Sequence, residues 1–132
     1  MNPKRFLTIG GILLTTIGFL GIIGVFGLIS DVAFFHPPNW INWFHLCFGI
    51  LVICIVRWGA DRLQTGFTFA GFITATSIGI IGLLFGKYLT EKLNIPELAD
   101  PSDHIAHLTV GLLAFWGWKG RNRHVRRKSN NN

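Results

Sequence analysis

Residues 66–86 read GFTFAGFITATSIGIIGLLFG, 21 residues without a charged side chain. A helix of about 20 apolar residues, rising about 1.5 Å per residue, covers the ~30 Å hydrocarbon core of a bilayer. The stretch reads as a transmembrane helix, and the rest of the chain falls into place around it. Phe6 to Ile29 is a second run with no charge, and Trp40 to Val56 holds only Asn42 and His45 as strongly polar side chains. The fourth apolar stretch, Ile105 to Trp118, has 14 residues, a length that a buried helix of a soluble protein also has. Its start signal favours a crossing. Asp100-Pro101-Ser102-Asp103 offers an N-cap, a proline at the first helical position and a carboxylate in the first turn. Counted from Pro101 the helix has 18 residues and spans with its first turn among the headgroups.

The expected fold is therefore all-α: an integral membrane four-helix bundle with helices at about 6–29, 40–57, 66–86 and 101–118. A basic disordered tail over 119–132 should follow. The chain has 132 residues, enough for one domain. Half are hydrophobic and 14% are charged, against roughly 25% in soluble domains. The opening MNPKR followed by an apolar run resembles a secretory signal, but the run is too long for one. No A-x-A-like site follows it, so a retained first helix is expected.

Charge gives the orientation. Lys4, Arg5, Arg57, Arg62, Lys119, Arg121, Arg123, Arg126, Arg127 and Lys128 flank one side of the four spans, and Lys87 and Lys92 the other. Ten basic residues against two place both termini in the cytoplasm of a bacterial inner or internal membrane. Trp40 and Trp43 fall at the outer end of the second helix, with Trp58, Trp116 and Trp118 at inner ends, where an aromatic belt belongs. The tail, KGRNRHVRRKSNNN, supplies most of the +6 net charge. It reads as a topology determinant lying on anionic lipid headgroups. Nucleic-acid binding has no folded module to support it.

The chain also reads as two helical-hairpin repeats. Gly21-Ile22-Ile23-Gly24 recurs as Gly79-Ile80-Ile81-Gly82, with a looser echo of Thr15-Thr16-Ile17-Gly18 in Thr74-Ala75-Thr76-Ser77. The helix after each opens with His-Leu-x-x-Gly: His45, Leu46, Gly49 and His107, Leu108, Gly111. A hairpin crosses twice, so the repeats should be parallel, related by an axis along the membrane normal. Gly18, Gly21, Gly24 and Gly27 recur every three residues; Gly71, Ala75 and Gly79 recur every four, as do Gly82 and Gly86. With Gly49 and Gly111 these are the expected packing positions, because small residues let helix backbones approach in lipid.

His45 and His107 admit three accounts. As structural groups they hydrogen-bond across helices, oriented by Asn42 and Asp103 in the preceding turns. As ligands they hold a haem or chlorin between the second and fourth helices. As proton carriers they lack any mid-membrane carboxylate to complete a relay. His104 and His107, three apart, could share a surface metal with His36 or Asp103, which makes a weak site. Cys47 and Cys54 are seven residues apart on one helix, too far to pair with each other, and read as small buried hydrophobes. No nucleotide-binding, nucleophile-elbow or metalloprotease pattern occurs, and a non-enzymatic protein is expected.

Asn42-Trp43-Phe44-His45-Leu46-Cys47-Phe48-Gly49 and Asp103-His104-Ile105-Ala106-His107-Leu108, set in four spans, resemble a bacterial family of small membrane proteins catalogued as domain of unknown function 4383. The resemblance covers roughly residues 6–118, in architecture more than in letters. It implies a multi-pass bacterial membrane protein and carries no mechanism. The role expected from all this is structural or complex-associated, with lipid and a homo-oligomer or larger membrane assembly as partners. The alternative is a haem- or chlorin-binding protein using His45 and His107.

Overall fold

The computed structural model describes residues 1–25, 39–93 and 101–129, with side chains over 1–25, 40–92 and 101–120. It is all-helical, with four helices: α1 Pro3–Ile22, α2 Asn39–Trp58, α3 Asp61–Leu93 and α4 Pro101–Ser129. Gly27, His36 and Asp100 lie outside the described residues.

Local chemistry sets the helix ends. Asn2 caps α1: its Oδ1 accepts the Arg5 N–H at 2.8 Å, and Pro3 takes the first helical position, where no N–H is needed. α1 ends at Ile22, seven residues short of the expected Ile29. Gly24 adopts φ +75°, and its N–H bonds to the Gly21 carbonyl at 3.2 Å. A left-handed glycine just past the last turn terminates a helix, so the apolar run outlasts the helix that it starts. Between α2 and α3 lies a short turn at Gly59-Ala60. The buried Gln64 donates its side-chain amide back to the Gly59 carbonyl at 2.9 Å, and to Val56 at 3.4 Å. Two carbonyls that a helix end leaves open are thereby satisfied. α3 begins at Asp61, whose carboxylate sits in the first turn, and its 33 residues extend the expected span at both ends. Pro101 opens α4 as the start signal predicts.

One expectation is corrected. Residues 119–129, read above as disordered, continue α4 as helix to Ser129. Arginine and lysine are good helix formers, and no proline interrupts the stretch.

The chain divides into two compact units. The first, Leu7–Gln64, is an antiparallel hairpin of α1 and α2. The second contains α3, α4 and the first turn of α1, Met1–Phe6. Three helices, α1, α2 and α3, are long and apolar enough to cross a membrane, which fits a membrane protein. The distribution of side chains is the reverse of a soluble core. The buried apolar residues described are Leu7, Val52, Ile55, Ala75 and Ala114. Asn42, Gln64, Thr68 and His104 are buried among them, while Leu84 (70% exposed), Leu112 (63%) and many other large apolar side chains face outward. In water such a surface would drive association; in lipid it costs nothing.

Candidate functional site

The polar groups buried inside each unit mark the candidate sites. In the first hairpin, α1 and α2 touch along four levels. A Cβ built on Gly11 would meet Ile53 and Val52 side-chain carbons at 3.0 and 3.2 Å. At Gly49 it would lie 2.5 Å from the backbone N and the Oγ1 of Thr15. At Gly18 it would lie 2.6 Å from the Asn42 carbonyl oxygen and 2.8 Å from the Leu46 Cα. At Gly21 it would occupy the space of the Asn42 side-chain amide. Asn42, 3% exposed, is thus a polar plug seated in a notch that only glycine leaves open.

The second hairpin is built by the same means. A Cβ on Gly111 would collide with Thr76 Oγ1 and lie 3.0 Å from its backbone N. On Gly79 it would lie 2.8 Å from the His104 carbonyl oxygen and 2.6 Å from Leu108 Cγ. On Gly82 it would overlap the His104 imidazole. His104, 3% exposed, is the plug of this unit. Deeper along the seam, Thr68 is fully buried, and Gly117 approaches Phe6 and Thr68 at 3.1 and 3.5 Å. An aromatic group of Phe69, Phe72, Phe115 and Trp118 joins α3 to α4, with ring centroids 5.2 Å apart for Phe69–Trp118 and 5.3 Å for Phe72–Phe115.

Thr15 satisfies its hydroxyl by donating to the Gly11 carbonyl at 2.8 Å, and Thr109 donates to Ile105 at 2.9 Å. Such back-bonding removes an unpaired donor from an apolar setting.

The residues singled out in the sequence divide as follows. Gly18, Gly21, Gly49, Gly79, Gly82 and Gly111 sit in the two seams. Gly86 is buried. Gly71 has nothing within 4 Å of its added Cβ and so contacts no neighbour there, contrary to its expected packing role. It shares a four-residue spacing with Ala75 and Gly79, but spacing alone does not place all three on the seam. Gly24 is likewise open, serving the turn that ends α1 instead. His45 and His107 are each half-buried, the first in one unit and the second in the other. The His107 ring is held by its own helix: Nδ1 lies 2.8 Å from the Asp103 carbonyl oxygen and 3.4 Å from its carboxylate. The His45 ring lies 6.1 Å from that of Phe44, which stacks on Phe48 at 5.5 Å. Cys47, expected to be buried, is exposed on α2, and Cys54 is half-buried. Among the described residues no group of three or more histidine, cysteine or acidic side chains is placed to hold a metal. His104 turns into the Gly82 notch and His107 turns back on Asp103, so their three-residue spacing does not converge.

Sequence reasoning missed the plugs. It placed Asn42 as an orienting group and His104 among the headgroups. The signal available was a single polar residue, Asn42 or His104, four positions before a leucine (Leu46 or Leu108) in the helix that faces a Gly-x-x-Gly. The chain matches no family model, no curated protein and no solved structure.

Proposed function

We propose that the chain is a small multi-pass membrane protein with a non-enzymatic, structural or complex-associated role, packing through glycine-lined helix faces. The observation that carries this reading is the placement of polar plugs inside and large apolar side chains outside. In a bilayer an unpaired polar group is expensive and an exposed leucine is not, so this arrangement suits lipid and little else. The few buried polar side chains serve the seams, which leaves no cluster of them to run a reaction.

Four crossings are part of the reading, though α4 is the least apolar helix. The stretch from His104 to Gly117 packs beside Thr68 to Gly82, the middle of the longest apolar run of the chain. A helix held along a membrane span over that length, about 20 Å, crosses with it. An even number of crossings agrees with the ten-to-two distribution of basic residues and puts both termini in the cytoplasm.

The two hairpins read as parallel repeats, in a register that the contacts revise. Thr15, Gly18 and Gly21 correspond to Thr76, Gly79 and Gly82, so TTIGFLG pairs with TSIGIIG. The match of the two Gly-Ile-Ile-Gly stretches is three residues out of this register. In the second helices Asn42, Leu46 and Gly49 correspond to His104, Leu108 and Gly111. The resemblance to the family of unknown function belongs to the same reading. Partners are lipid and a second copy or a larger membrane complex; Gly10 and Gly71, with open space at their Cβ positions, suit an approaching helix.

The test is cell fractionation with topology mapping. The chain should resist alkaline extraction from membranes, and reporters fused at either terminus should be active only in the cytoplasm. Release by alkali, or a terminus outside, would overturn the assignment.

A second reading rests on one observation. The Nδ1 of His107 is occupied by Asp103, the arrangement that fixes the tautomer of a metal-ligating imidazole. On that reading His107 and His45 are the axial ligands of a haem or chlorin. An absorption spectrum of protein purified from its host decides between the two. A visible band lost in the His45→Ala, His107→Ala double variant establishes the pigment, and a colourless protein removes it.

A further inference from the structure

We propose that the inner end of the second unit is a binding site for an anionic phospholipid, with Lys4, Arg5 and Lys119 on its phosphate and the aromatic group of α3 and α4 against its acyl chain. The proposal deepens the membrane reading above and depends on it.

The site is assembled by a contact that sequence distance hides. The Met1 carbonyl is seated on Gly120, and Phe6 packs on Gly117 with its Cβ 3.1 Å from the position a glycine Cβ would take. The first turn of α1 is thereby laid against the inner end of α4. Lys4 and Arg5, both exposed, are carried to the end of the unit where Lys119 stands. The acidic residues of this unit, Glu91, Glu97, Asp100 and Asp103, all fall at or between the far ends of α3 and α4 in the sequence. No carboxylate of the unit is therefore at hand to neutralise the three cations.

The ligand chemistry follows from where the Lys119 ammonium is held. Its Nζ lies 5.6 Å from the centre of the Phe115 ring, drawn one turn back toward the apolar part of α4. Phe115 is joined to Phe72 and Trp118, and Trp118 to Phe69, at centroid distances of 5.2 to 6.1 Å. A cation poised over an apolar aromatic wall fits an amphiphile, with a phosphate for the cation and a hydrocarbon chain for the wall. Free phosphate would use only half of it. Lysine and arginine attract anionic lipid by roughly fivefold in affinity each when they stand near the headgroups.

The test uses the full chain purified in a neutral detergent and examined by native mass spectrometry. Phosphatidylglycerol, phosphatidylcholine with the same acyl chains, and inorganic phosphate are the probes. The expected result is retention of phosphatidylglycerol over phosphatidylcholine, weakened by salt. Lys4→Gln, Arg5→Gln and Lys119→Gln should each lower retention about fivefold, whereas Lys87→Gln with Lys92→Gln leaves it unchanged. Gly120→Leu keeps every charge but displaces Met1, and should also lower retention. Equal retention of the two lipids, equal loss in the Lys87/Lys92 variant, or unchanged binding in Gly120→Leu would overturn the site. Protection from thermal unfolding by inorganic phosphate as strong as that by lipid would identify a phosphate site instead and overturn the lipid. Alkaline extraction, read separately, distinguishes failure of this site from failure of the membrane assignment.

Discussion

Gly18→Ala adds one methyl at the tightest backbone contact of the first hairpin. That carbon would lie 2.6 Å from the Asn42 carbonyl oxygen and 2.8 Å from the Leu46 Cα. Both neighbours are backbone, so no side-chain rotation relieves the clash. Restoring ordinary contact requires α1 and α2 to part by about 1 Å, which forfeits a quarter to a half of the dispersion attraction between atoms along that seam. Overpacking of this kind costs about 1–3 kcal/mol. Gly71→Ala is the matched control. The same methyl meets nothing within 4 Å, and alanine is the better helix former by up to about 1 kcal/mol. The two substitutions are chemically identical and should differ by about 2–4 kcal/mol in opposite directions. The assay is reversible unfolding in mixed micelles, followed by tryptophan fluorescence and helical circular dichroism. If Gly18→Ala is as stable as the parent, or Gly71→Ala is the more damaging, the seam does not hold the hairpin together in the way described.

Further outcomes follow from the same contacts. His104→Asn places in the second notch the side chain that fills the first, and should cost less than about 1 kcal/mol in the same unfolding assay. His104→Phe keeps the ring and loses its nitrogens, and should cost about 1 kcal/mol. If asparagine proves the worse replacement, the two notches are not equivalent. Gln64→Met keeps the length of a buried side chain but leaves the Gly59 and Val56 carbonyls without its amide, a loss of about 1–2 kcal/mol in unfolding free energy. Hydrogen exchange at the turn should rise in that variant. His107→Phe removes the imidazole from the Asp103 carbonyl at a half-exposed site, and should shift the unfolding midpoint by less than either seam substitution.

Helices were legible in the sequence because absence of charge over 20 residues is a strong and local signal. The register of the two halves was harder. Gly-Ile-Ile-Gly is built from letters common in any apolar span, so two copies align by composition as readily as by structure. Thr-x-Ile-Gly carries a hydroxyl and is the more specific match, but only the contacts at Gly18 and Gly79 show that it marks the seam. The plugs were hidden for a related reason. His45 and His107 share a motif and drew attention, while Asn42 and His104 occupy the same structural place with different letters. Volume and polarity in a notch are what the packing demands, and asparagine and histidine both meet that demand. The end of α1 depended on one backbone angle at Gly24, which hydropathy cannot register.

The division of α1 between two units bears on the order of synthesis. Leu7 onward packs with α2, and that hairpin is complete once Gln64 has been made. Met1 to Phe6 belongs with α3 and α4, and Phe6 and Met1 find Gly117 and Gly120 only at the far end of the chain. At ordinary translation rates those glycines leave the ribosome roughly 6–20 s after the first turn does. Through that interval the start of the first helix is without its neighbour. Arrival of the last helix closes the molecule on its own beginning, so a prematurely stopped chain lacks the latch and is marked for the cell's proteases by an unpacked first turn.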